Sequence, residues 1–355
     1  MVETQDTPSV EEYFSKKDTP ITLESPTDLL VIPDVHGDMQ ALEYSLDSGR
    51  EFFAKQSKSP EIIFLGDLID RGPDSAQVLK YTMDLIKDGI NVTILIGNHE
   101  AMFIECLYDP GTHVYAQWIY NGGLETLTSF GYLFDPKINE FISDLSALKP
   151  QFSFSEFYKF CLLHTPEFIK ISKILRDDPL IHSFVNSLDL CIRRSSDLFV
   201  HAGFVPDFIS SEYNLDNWIF ALQTSFKQSL FNKMVSLEND FERFRSTSVA
   251  RGGKSIAGPL WADYSDFQMS SFESALLTTL MQNQSVNRMI VGHNIVMHPH
   301  DIAISLIPNK KLDILFLDIG MSAHYDTEYS AMNMCIGSDG QEMILNSRKK
   351  LIPFL

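Results

Sequence analysis

Hydrophobic and polar positions along the chain follow two rhythms. Short apolar runs, each stopped by a polar residue, recur at LLVIPD (29–34), IIFLGD (62–67), VTILIGN (92–98), LFVHAG (198–203), MIVGHN (289–294) and ILFLDIG (314–320). Their length and their β-branched or aromatic content predict strands. Between the first three lie MQALEYSLDSGREFFAKQ (39–56) and SAQVLKYTMDLIKDG (75–89), whose apolar positions follow helical spacing, with a glycine ending the second. The result is a β-α-β-α-β opening. Right-handed crossovers bring the C-terminal ends of its parallel strands to one edge, where open α/β sheets carry their sites, so Asp34, Asp67 and Asn98 become neighbours.

Residues 101–196 are mostly helical in pattern and predict a helical cap inserted into a single catalytic domain spanning 27–355. Within the cap, SFSEFYKFCLLH and PEFIKISKILRDD are two helical stretches meeting at Pro166, and a further helical segment covers 216–245. Residues 1–26 carry Pro, Ser, Thr and charge without periodicity, as a flexible arm would.

Composition narrows the function classes. With 44% hydrophobic residues the chain can bury a sizeable core, and 47 acidic against 28 basic residues give a net charge of −19 that repels nucleic acid. Any phosphate must therefore be held by a local positive site. Cys106, Cys161, Cys191 and Cys335 are scattered in apolar surroundings without metal or disulfide spacing, so they read as buried free thiols of a reducing compartment, the cytoplasm. The start of the chain is acidic and polar, and no apolar run reaches membrane-spanning length.

The residues that close the strands carry the chemistry: Asp34 and His36 in PDVHGD, Asp67 in GDLIDRG, Asn98 and His99 in GNHE, His201 in FVHAG and His293 in VGHN. Each offers an oxygen or nitrogen ligand. One histidine at a strand end is more often a core residue than a ligand, but this set in this order is hard to obtain by accident. Two divalent cations account for it. Asp34 and His36 would hold the first, Asn98, His201 and His293 the second, and Asp67 would bridge them from a rigid strand end. Gly37, Gly66, Gly72 and Gly97 allow tight turns beside these ligands. His113, His164, His182, His298, His300 and His324 lack matching partners and are assigned no ligand role.

The motifs PDVHGD, GDLIDRG, GNHE, FVHAG and VGHN together resemble those of the PPP-type metallophosphatases, a group within the calcineurin-like phosphoesterase superfamily. It includes serine/threonine protein phosphatases, Shewanella-like phosphatases and bacterial diadenosine tetraphosphate hydrolases. The resemblance implies an α/β fold with a central β-sandwich of two mixed sheets flanked by helices. WIYNGGLETLTSFG (118–131), GPLWADY (258–264) and DIGMSAHYDTEYSAM (318–332) are similar to segments of bacterial members. Departures are Ile96, where many relatives have an arginine before GNHE, and Asp263, where phage-type enzymes place a second arginine; Ile295, where nuclease relatives carry a further histidine, is as the resemblance has it.

The resemblance also implies roles. A hydroxide shared by the two cations attacks phosphorus, His99 is the general acid, and Asp70 fixes its tautomer and raises its pKa. Arg71 binds phosphate with Asn98, and Arg251 is a candidate second phosphate arginine. Mn2+ is the expected metal, with Fe, Zn or Co as alternatives. The expected substrate is a phosphoprotein, with serine/threonine preference. The alternatives are a phosphotyrosine phosphatase, a hydrolase of dinucleoside polyphosphates or other small nucleotides with Trp118, Tyr120 or Tyr325 stacking on the base, and a non-catalytic scaffold. Host cytosol would suit the chain if it were an exported bacterial effector.

Overall fold

The three apolar runs that open the chain become β1 (Leu29–Ile32), β2 (Glu61–Phe64) and β3 (Val92–Leu95), paired in parallel. The computed structural model describes residues 28–132, 154–204, 223–230, 286–296, 313–320 and 332–346, with shorter pieces at 234, 249–251, 254–256, 259–261, 277–279, 281, 303–305 and 352–353. Every residue of β1 and β2 is buried, as expected of parallel strands covered on both faces. The connections are helices α1 (Met39–Ala54) and α2 (Ser75–Lys87); Asp38 caps the first by accepting the Ala41 amide hydrogen at 2.9 Å.

Two mixed sheets form. In the first, β4 (Leu188–Asp189) extends the parallel set past β3, while β12 (Met332–Ile336), β13 (Glu342–Asn346) and β14 (Ile352–Pro353) add antiparallel strands beyond β1. The second has β6 (Asp197–Val200), β9 (Arg288–Val291) and β11 (Asp313–Phe316) in parallel, edged by antiparallel β5 (Cys191–Arg194) and β10 (Ala303–Ser305). A separate hairpin pairs β7 (Val249–Arg251) with β8 (Lys254–Ile256). This is the α/β architecture of two mixed sheets with flanking helices that the motifs implied.

Within 101–196 the described residues form α3 (Asn98–Tyr108), α4 (Thr112–Tyr120), α5 (Gly123–Ser129), α6 (Phe154–Arg176) and α7 (Pro179–Ser187). The segment also supplies β4 and β5, so its last residues belong to the sheets. Pro166 does not divide α6. An interior proline costs about 3 kcal/mol, whereas Cys161, Phe168, Ile171 and Leu175 on this helix are all buried, and large apolar side chains contribute about 1.5–3 kcal/mol each when buried. Packing outweighs the break. The run PKINEFISDLSALK and the arm 1–26 lie outside the described residues, as does most of 216–245, of which 223–230 is helical. No helix among the described residues is long and apolar enough to cross a membrane. All four cysteines are buried thiols outside any disulfide, and burial pushes the Cys161 and Cys335 thiols up to about 12.

An ion pair ties the sheets together. Buried Glu61 at the start of β2 accepts from Arg194 Nε and Nη2 of β5 at 2.8 and 2.7 Å, and from the Thr93 hydroxyl at 3.0 Å. Arg194→Met would leave that carboxylate with Thr93 alone, and such losses cost about 3–5 kcal/mol. Urea unfolding of the variant is expected to show a lowered midpoint; an unchanged midpoint would mean the pair does not join the sheets.

Candidate metal centre

Asp34, His36, Asp67, Asn98 and His99 follow β1, β2 and β3, while His201 and His293 follow β6 and β9 of the other sheet. All are buried except His293, which is partly covered. The two sheets thus meet through their strand ends. The His201 Nδ1–H donates to the Leu65 carbonyl at 2.8 Å, and the Gly292 amide donates to the His201 carbonyl at 2.8 Å.

Asp67 lies at the middle. Its Oδ2 is 3.8 Å from His36 Nε2, 3.8 Å from His99 Nε2 and 3.5 Å from His201 Nε2. Asn98 Oδ1 is 2.9 Å from His201 Nε2 and 3.0 Å from His293 Nδ1. Asp34 Oδ2 stands 4.0 Å from His36 Nε2, and both Asp34 oxygens accept the His293 amide hydrogen. Among the described residues, two groups have ligand atoms close enough to share an ion: His36, Asp67 and His99, and Asp67, His201 and His293. The first contains His99 where the sequence reading placed Asp34.

The donor set fits a cation on physical grounds. Burial drives the His201 imidazole well below its usual pKa, so it is neutral, and its single proton is committed to the Leu65 carbonyl, which can only accept. Its Nε2 lone pair therefore faces two oxygens, Asn98 Oδ1 and Asp67 Oδ2. Three acceptors in a dry site repel one another unless a positive charge stands between them. His36 likewise has Nδ1 on the Ile69 carbonyl at 3.2 Å, but its Nε2, 3.8 Å from Asp67 Oδ2, already accepts from Arg71 Nη1.

Glycines make this approach feasible. A Cβ on Gly97 would lie 2.0 Å from Asp67 Oδ1, and one on Gly292 would lie 2.1 Å from Asp34 Oδ1. The backbone is also strained where the chemistry sits: His36, Asp67, Asp70, Arg71 and His293 have φ of 46°, 51°, 73°, 70° and 59°. Left-handed conformations at such residues cost of the order of 1 kcal/mol or more each and persist when surroundings fix them.

Glu100 supplies that fixation at Asp67, although no role had been assigned to it. Buried at the first turn of α3, it accepts the amide hydrogens of Asp67, Leu68 and Gly97 at 2.8, 2.8 and 2.9 Å. Asp318 was also missed; buried beside Asp34, it adds its charge there, and burial raises its own pKa to about 6. The quoted GNHE and DIG runs contained both residues, but their partners are distant in sequence.

Asp70 and His99 form a buried pair, His99 Nδ1 to Asp70 Oδ2 at 2.7 Å. The expectation that Asp70 raises the His99 pKa is corrected: burial, then the positive charge of Arg71, hold it well below the ordinary value, while burial pushes Asp70 well above. His99 Nε2 has no hydrogen-bond partner among the described residues. Arg71 Nη1 reaches His36 Nε2 at 2.8 Å, and its charge acts on Asp34, Asp67, Asp70, Asp318, His99 and His201. Trp118, offered as a stacking residue, is instead buried in α4 with its Nε1–H on Asp70, whereas Tyr120 is 70% exposed. Trp261 stacks edge-on against His293, with ring centroids 5.6 Å apart. The side chain of Arg251 in β7, and Tyr325, His298, His300 and His324, lie outside the described residues. His113, His164 and His182 belong to neither metal-capable group.

The profile of the Calcineurin-like phosphoesterase family matches residues 27–294. The chain belongs to that family. Calcineurin-like phosphoesterases use a dimetal centre, and the His/Asp groups above are the metal-capable groups of this one among its described residues. A similar curated protein is the asymmetrical bis(5'-nucleosyl)-tetraphosphatase PrpE of Oceanobacillus iheyensis, 37% identical over 76 residues; the match spans 19% of this chain and 29% of that protein. Among solved structures, the cold-active protein-tyrosine phosphatase of a psychrophilic Shewanella shares the fold, with a TM-score of 0.55 and 16% identity over 93% of this chain and 80% of that one. A protein serine/threonine phosphatase of Saccharomyces cerevisiae gives a TM-score of 0.40 and 14% identity over 88% and 73% of the two chains.

Two outcomes follow for this calcineurin-like phosphoesterase. Glu100→Gln turns an N–H donor toward amides that need an acceptor, and calorimetric titration with Mn2+ is expected to show about 10–100-fold weaker binding; unaltered affinity would remove Glu100 from the support of Asp67. Burial, reinforced by neighbouring carboxylates, raises Asp34 and Asp67 in the fold. Their contribution to stability is present below their unfolded pKa of about 4 and is lost as pH rises through the raised folded values. A divalent cation replaces the missing proton. Stabilisation by Mn2+, read as a rise in Tm, is therefore expected to be larger at about pH 8 than at about pH 5, and an equal rise at both would contradict the arrangement.

Proposed function

We propose that this chain hydrolyses phosphate monoesters on proteins, with preference for phosphoserine and phosphothreonine. The observation that carries the reading is the neutral His201, whose lone pair faces Asn98 and Asp67 oxygens in a dry site beside Arg71. Such a centre is built to hold cations and an anionic substrate. Asp34, His36, Asp67, Asn98, His201 and His293 would hold the two divalent ions. These would supply an activated water and charge neutralisation at phosphorus.

The protein's own groups do the rest. The Arg71 guanidinium, held by a left-handed backbone at the rim, would bind non-bridging phosphate oxygens with the Asn98 side chain, and Arg251 remains a candidate for a second such contact. Asp70 holds the Nδ1 side of His99, and a bound phosphate dianion would offset the burial and the Arg71 charge that lower its pKa, so that the protonated ring carries a proton on Nε2 to the leaving oxygen. That assignment uses the unpartnered Nε2. The Asp70 contact would orient His99 equally well as a metal ligand, and it is the resemblance to PPP-type enzymes that assigns it the acid role.

A second reading is a dinucleoside polyphosphate hydrolase, to which the identity shared with PrpE over 19% of this chain points. Burial of Trp118 removes one of its three candidate stacking residues. The name of the Shewanella relative brings phosphotyrosine into the comparison as well.

The purified protein with Mn2+ is expected to release phosphate faster from phosphoserine and phosphothreonine peptides than from a phosphotyrosine peptide or diadenosine tetraphosphate. His99→Asn should lower the peptide rate by about 10²–10⁴. Preference for the dinucleotide, or near-wild-type turnover by the variant, would overturn the respective assignment.

A further inference from the structure

We propose that Trp118 of α4 and Thr126 of α5, the two short helices after α3, are positioning residues for the proton donor. The inference deepens the reading above and rests on His99 being the acid.

Asp70 is fully buried and its carboxylate is gripped from both sides. Trp118 Nε1–H is shared between Oδ1 at 3.1 Å and Oδ2 at 2.9 Å, the Thr126 hydroxyl donates to Oδ1 at 2.6 Å, and His99 meets Oδ2 at 2.7 Å. Thr126 does more than cap an oxygen. Its Oγ1 also accepts the Asp70 amide hydrogen at 2.9 Å, so one hydroxyl closes a ring between backbone and side chain of the same residue. That amide reaches Ser75 Oγ too, at 3.0 Å. The ring holds Asp70 at φ 73°, where an aspartate would otherwise be strained.

The same turn fixes the neighbour. The Arg71 amide donates to the Gly122 carbonyl at 3.1 Å, and a Cβ on Gly122 would lie 2.7 Å from both Arg71 N and Arg71 Cγ. The α4–α5 connection thus clamps two successive residues of the DRG run. Trp118 is itself seated by Phe103 of α3, with ring centroids 5.3 Å apart. Without the two donors, the carboxylate could turn about its own χ angles and His99 would lose its orientation. A small displacement of a catalytic group can cost up to about 100-fold in rate.

Leaving-group dependence separates this role from general structural support. A nitrophenolate departs without much help, whereas a serine alkoxide needs a proton, so damage to the acid must fall selectively on the alkyl ester. Trp118→Phe and Thr126→Val, each loaded with Mn2+, are expected to lose at least about tenfold more kcat on a phosphoserine peptide than on p-nitrophenyl phosphate. KM and bound metal, measured by elemental analysis, should stay at wild-type values. Thr126→Ser keeps the hydroxyl and should restore the wild-type ratio. His99→Asn is the benchmark. If it shows the selective loss and the Trp118 and Thr126 variants lose both activities equally, the inference is overturned while the acid stands; if His99→Asn is itself unselective, the acid assignment falls and the inference with it. Should Trp118→Phe fail to fold, the contrast between Thr126→Val and Thr126→Ser decides alone.

Discussion

The Glu100 carboxylate spends its acceptor capacity on three backbone amides around Asp67, and the site edge depends on that contact. A carboxylate meant to face several ligand atoms cannot be aimed by an ordinary extended backbone, because the chain would carry it back along the strand. Asp67 instead turns left-handed directly after β2, and the amides exposed by that turn are buried away from water. Unsatisfied, each would cost about 1–3 kcal/mol. Glu100 meets them from the next strand-to-helix turn, so the geometry of β2 and of β3 is set in one operation.

The concentration of charge at this edge runs against the character of the rest of the molecule. A chain with net charge −19 gathers Asp34, Asp67, Asp70, Glu100 and Asp318 from among its acidic groups into its least hydrated region. Burial and mutual repulsion raise their proton affinities, and a single guanidinium, Arg71, acts on several at once. The arrangement is costly on its own and becomes reasonable only around cations. That imbalance, more than any one distance, separates the site from a cluster of structural histidines.

Much of this was legible in the sequence because strands end abruptly. Asp34, Asp67, Asn98, His201 and His293 each terminate an apolar run, and the β-α-β-α-β rhythm sends the first three to one edge. What stayed hidden had no local signature. LD of β4 and CIRR of β5 are too short and too polar to read as strands, and MNMCI of β12 has only one β-branched residue. Pro166 marks a break by its own chemistry, yet the buried face of α6 overrides it. Trp118 illustrates a different limit. An aromatic near a catalytic motif suggests a surface for a ligand, and only the direction of its ring, inward onto Asp70, shows otherwise.

The residues gathered at the edge come from position 34 through position 318 and from both sheets. The first metal-capable group, His36, Asp67 and His99, lies wholly within the opening β-α-β-α-β unit, whereas the second draws His201 and His293 from the other sheet. The second group is therefore complete only when the two sheets have docked, and an ion held there would report that both halves have met.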